Sequence, residues 1–87
     1  MQNDGEINVY PNPTAQDVTV QMNLKGKEDI EITLINLLGQ TLFSESLRNQ
    51  TGLVQRHISL SQLTNATYIL RVNTKDKVYC KKIVKLQ

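Results

Sequence analysis

The chain has 87 residues and a net charge of +2, which sets a single domain with a small core, since a chain of this size buries only about 60–65% of its unfolded surface. Trp is absent and Cys80 is the lone cysteine, so a disulfide within the chain is excluded. No run approaches the roughly 18 apolar residues of a membrane helix, and no signal-peptide pattern is present.

Residues 1–5 read as a linker, and residues 6–87 as the domain. Met1 looks like a start placed ahead of the C-terminal piece of a longer chain. Residues 6–10 alternate, with Ile7 and Val9 on one face. Pro11, Asn12 and Pro13 stop this first strand at a sheet edge, because proline donates no ladder hydrogen bond. Thr14, Ala15 and Gln16 form a connector. Residues 17–24 alternate strictly, with Val18, Val20, Met22 and Leu24 inward. Residues 25–28 read as a polar turn in which Gly26 supplies a positive φ. Residues 29–35 resume the alternation, with Ile30, Ile32 and Leu34 inward. Residues 36–40 form a turn with Gly39 in the left-handed position and Leu37 and Leu38 capping the core.

Residues 41–47 form a fourth strand whose inward face the pattern leaves open. Residues 48–52 read as a loop and 53–60 as a fifth strand. Residues 61–65 read as a tight turn or one helical turn, with Leu63 tucked into the core. Residues 67–73 put Tyr68, Leu70 and Val72 on one face. A short polar break leads into residues 78–84, and the pair reads as a β-hairpin. Cys80 is expected to be a buried or half-buried small hydrophobe. Seven short strands at intervals of about 8–12 residues make an all-β, antiparallel sandwich.

Charge is unevenly spread. The first half carries Asp4, Glu6, Asp17, Glu28, Asp29, Glu31 and Glu45, and the end carries Arg71, Lys75, Lys77, Lys81, Lys82 and Lys85. The basic end reads either as a solvated edge strand guarded by lysine or as a docking surface for an acidic partner. Nucleic acid is disfavoured, because no exposed aromatics interleave the basic run. His57 stands alone, with no nucleophile elbow near any serine, and reads as a surface residue. Asp29 and Glu31 share an outward strand face that lacks a calcium cage. Cys80 has no metal-ligand spacing around it, and the glycines are too scattered for a phosphate cradle. No catalytic residue, cofactor, metal or small-molecule substrate is expected.

Five landmarks form an ordered set. Val9-Tyr10-Pro11-Asn12-Pro13-Thr14 opens the domain and Asn36-Leu37-Leu38-Gly39-Gln40-Thr41-Leu42 sits at its middle. Ile58-Ser59-Leu60-Ser61-Gln62-Leu63 precedes Thr67-Tyr68-Ile69-Leu70-Arg71-Val72, and Lys82-Ile83-Val84-Lys85 closes the chain. In this order and spacing they resemble the type A C-terminal sorting domain of the type IX (Por) secretion system, over essentially the whole chain from Ile7. The family commonly has Gly where Ala66 stands, and Asn65 is expected to take the left-handed conformation there instead.

The resemblance implies an immunoglobulin-like sandwich of about seven strands behind an N-terminal cargo protein. It implies passage through the periplasm and across the outer membrane by the type IX translocon. A surface sortase would then remove the domain near or upstream of residues 1–6 and join the cargo to anionic lipopolysaccharide. The residues expected to be read are Pro11, Asn12, Pro13, Gly39, Tyr68, Lys81, Lys82, Ile83, Val84 and Lys85. An unguarded strand edge also allows a dimer. Two rival readings are a carbohydrate-binding module and a passive spacer within a secreted protein.

Overall fold

The computed structural model describes residues 7–86, all outside helices. The linker assigned to residues 1–5 and the cleavage region near residues 1–6 lie outside the described residues. Five antiparallel strands form one sheet: β1 (Ile7–Tyr10), β2 (Asp17–Asn36), β3 (Thr41–Ser59), β4 (Ala66–Asn73) and β5 (Val78–Lys85). β2 organises the sheet. β3 pairs along nearly all of one of its edges. β1 and β4 share the other edge, β1 opposite residues 19–22 and β4 opposite residues 31–36. β5 completes the sheet on the far side of β4.

The seven expected strands become five because two expected breaks are bends in a continuous ribbon. The polar stretches 25–28 and 48–52 lie opposite each other, with Leu24 facing Gly52 and Glu28 facing Gln50. Between those pairs β2 advances four residues and β3 only two, and from Glu28 to Ile30 the excess passes to β3. Bulges of this kind bend a ladder without ending it. Asn49 at φ 56° and Gly52 at φ 71° absorb the irregularity on β3, where Asp29 Oδ1 accepts from Asn49 N at 2.9 Å. Gly26 has no positive φ, contrary to the expectation for a turn. Turns and bulges draw on the same residues, which is why a local pattern does not separate them.

The bend folds the sheet over on itself, and its halves enclose one core. Ile7, Val18, Val20, Met22, Val54, Ile58 and Leu60 come from one half, and Ile30, Ile32, Leu34, Tyr68, Leu70, Val72 and Ile83 from the other. Each fully buried Val, Leu or Ile contributes about 1.5–3 kcal/mol. On the first half of β3, Phe43, Glu45 and Leu47 are the half-buried set. Glu45 and Arg56, both on β3, form an ion pair across the bend.

Three other expectations are corrected. Cys80 is exposed, because Ile83 pairs with Tyr68 inside the core and a period of two then turns residue 80 outward. The same register points Lys81 and Lys85 inward. Leu37 and Leu38 do not cap the core but are 69% and 85% exposed at a turn tip. Asn65 does not adopt a positive φ. The 61–65 segment is a hydrogen-bonded turn, Leu63 N to Leu60 O at 3.0 Å, and Leu63 packs against the core as expected.

Candidate recognition surface

The corner after β1 clasps the last strand. Both the Tyr10–Pro11 and Asn12–Pro13 peptide bonds are cis, and Pro11, Asn12 and Pro13 are exposed. The Asn12 side chain acts as a piece of strand: its Nδ2 donates to the Lys82 carbonyl at 2.7 Å, and its Oδ1 accepts from Val84 N at 3.0 Å. Thr14 continues the pairing, donating N–H to the Val84 carbonyl at 2.9 Å and accepting from Leu86 N at 2.8 Å. Thr14 also makes a parallel bridge with Lys85. The edge of β5 is thus closed along residues 82–86, which satisfies main-chain groups that an edge strand otherwise leaves to solvent.

Thr14 is more than a connector. It is only 4% exposed and its Oγ1 donates to the Asp17 carbonyl at 2.6 Å. The position of this threonine directly after the two prolines was the signal available in the sequence. Lys85 departs from the picture of a solvated guard: it is 6% exposed, and its Nζ donates to Asn65 Oδ1 at 3.3 Å. That contact gives Asn65 its role beside Ala66, which pairs directly with Lys85. Ile83 is wholly buried, Val84 and Lys81 are half-buried, and Lys82 is exposed.

Tyr68 lies across from Ile83, is 4% exposed, and donates its hydroxyl hydrogen to the Thr64 carbonyl at 2.6 Å. A tyrosine near a strand start bonding back to the preceding backbone is the tyrosine-corner device of β-sandwich domains. Its ring is a structural anchor, and the turn it fixes is what reaches the surface. Asn36, opposite Tyr68, shapes the next turn. Its Oδ1 accepts from Leu38 N and Gln40 N, both at 2.9 Å, and its carbonyl accepts from Gly39 N at 3.0 Å. Gly39 takes φ 89°, as expected, with open space where a Cβ would stand.

The predicted residues therefore gather at one end of the sandwich. The corner, the end of β5, the 61–65 turn and the Gly39 turn meet there through direct pairings. An open groove of about 380 Å³ lies between the last two, lined by Leu37, Leu38, Leu42, Leu63, Thr67 and Tyr68 among others. Lys81 sits farther along β5, opposite Leu70. His57 is elsewhere, its Nδ1 2.8 Å from Thr19 Oγ1. Among the described residues no group of His, Cys, Asp and Glu is placed to hold a metal.

The family model described as the secretion system C-terminal sorting domain matches residues 8–86. No curated protein matches the chain. The match covers β1 from Asn8, the other four strands whole and all five sequence landmarks, and the chain belongs to the type IX secretion C-terminal sorting domain family.

Proposed function

We propose that the folded domain is read at the end surface where the Pro11-Asn12-Pro13 corner, the Gly39 turn and the close of β5 meet. The family assigns the chain as a sorting signal for type IX secretion, directing an N-terminal cargo toward the cell surface or beyond. The finer course is part of this proposal. The domain crosses the periplasm, engages the type IX translocon, and is removed by a surface sortase that joins the cargo to anionic lipopolysaccharide. It acts as a signal and a substrate, not a catalyst.

The observation that carries the reading is the clasp of Asn12 and Thr14 on residues 82–86. It ties the first landmark of the sequence to the last, so the recognised shape exists only in the folded chain. Exposed Leu37 and Leu38, on a turn pinned by Asn36, give that surface an apolar prominence beside the groove. The test fuses the chain behind a periplasmic reporter in a bacterium that has the type IX machinery. Surface display of the reporter is expected, and paired serine substitutions at Leu37 and Leu38 should abolish it while leaving the fold intact. Display by those variants at the level of the native domain would refute this choice of surface. Carbohydrate binding on a glycan array would instead favour the lectin-like rival.

A further inference from the structure

The clasp closes only half of β5. Main-chain groups of Lys82, Val84 and Leu86 face the corner, so by the alternation of an antiparallel strand those of Val78 and Cys80 point the same way. Among the described residues no strand pairs with that edge beside Val78 and Cys80.

This open half leads into a groove of about 350 Å³ at the opposite end of the sandwich from the clasp. Met22, Leu24 and Tyr79 line its interior, and Lys25, Lys27, Lys75 and Lys77 its rim. Glu28 and Asp76 are the acidic groups on the same lining. Glu28 Oε1 is occupied by the main-chain N–H of Lys75 at 2.9 Å, which ties the β4–β5 turn to the bend in β2. The described residues give the ammonium groups of Lys25, Lys27 and Lys75 no ion pair. Beside the open edge itself, Lys81 points to the inner face and Lys82 to the outer, and among the described residues neither ammonium has an acidic partner.

We propose that the residue 78–81 edge of β5, together with the adjoining lysine-rimmed groove, docks an extended acidic segment of a partner protein. Such a segment would add as a strand, where main-chain hydrogen bonds give affinity and alternate side chains give specificity. An apolar strand would leave Lys81 and Lys82 uncompensated on its two faces, whereas acidic side chains on either face answer them. An apolar residue at the groove end would sit on Met22, Leu24 and Tyr79. A lipid surface matches the lysines but leaves the main-chain groups of Val78 and Cys80 unanswered, so the protein partner is favoured.

The biological setting rests on the sorting role, but the test needs no export machinery, so failure here and failure of the reporter assay are distinguishable. The isotope-labelled chain is titrated with a short peptide of Val-Glu-Glu-Val repeats, which carries glutamate on both faces of an extended strand, with a matched valine–lysine peptide, and with phosphatidylglycerol vesicles. Saturable shifts and slowed hydrogen exchange at the Val78 and Cys80 amides are expected with the acidic peptide alone. The double variant Lys27→Glu, Lys75→Glu should weaken that binding about tenfold, a few-fold for each surface charge. Val78→Pro, which removes a donor that makes no ladder bond, should weaken it as well. Absence of saturable binding, equal binding of the basic peptide, shifts confined to β3, or binding to vesicles without binding to peptide would each overturn the proposal.

Discussion

Asn12→Ala tests the clasp directly. The substitution deletes the bonds to the Lys82 carbonyl and from Val84 N and leaves the two main-chain bonds of Thr14 in place. A hydrogen bond contributes about 0.5–1.5 kcal/mol net. Asn12 is exposed, so water replaces part of what is lost, and the expected cost is about 1–2 kcal/mol. In a domain of this size that lowers the thermal midpoint by roughly 5–10 °C. Thermal and urea unfolding followed by circular dichroism measure the loss. Hydrogen exchange locates it, because the Val84 amide should lose protection while the Ile83 amide, inside the β4–β5 ladder, keeps its own. Asn8→Ala is the control, as an exposed β1 residue outside the clasp, and should stay within about 0.5 kcal/mol of the native chain. An unchanged midpoint with a protected Val84 amide would show that the corner does not hold β5, and the reasoning for a composite end surface would fall with it.

Three further outcomes follow from the same geometry. Gly39→Ala should cost about 1–2 kcal/mol by forcing a Cβ into φ 89°, whereas Gly26→Ala, with neither positive φ nor neighbours within 4 Å, should be neutral or slightly stabilising; urea midpoints separate the two. Lys85→Met should be neutral or stabilising, since it replaces a buried ammonium having one long hydrogen bond with an apolar chain of similar length, and Lys85→Glu should destabilise; calorimetry of both variants checks this. The exposed Cys80 thiol should react with a thiol reagent in the native state at the rate of a free cysteine, and slow reaction would show that β5 is shifted by one residue from the register that pairs Ile83 with Tyr68.

Strand positions were legible because a half-buried strand writes its burial into the sequence at a period of two. Val18, Val20 and Met22, then Ile30, Ile32 and Leu34, alternate inward as the pattern requires. Tyr68, Leu70 and Val72 do the same. The left-handed turn at Gly39 was legible too, since few other residues take that conformation without cost. β5 was the weak reading. Its outward positions Val78, Cys80 and Val84 are no less apolar than its inward ones, where Lys81 and Lys85 share the face with Tyr79 and Ile83, so its phase followed from pairing with β4 and not from composition. The candidate surface was legible only as separate landmarks, because a side chain substituting for a strand leaves no periodic trace.

Local patterning and backbone preferences at single residues were enough to set an all-β domain, its core faces and most of its turn chemistry. Three features came from the assembled fold alone: two polar breaks are one shared bend, Asn12 closes the edge of a strand seventy residues away, and particular lysines turn inward. Those outcomes depend on which segments meet, and hydrogen-bond register between distant strands is a property of the pairing and not of either strand alone.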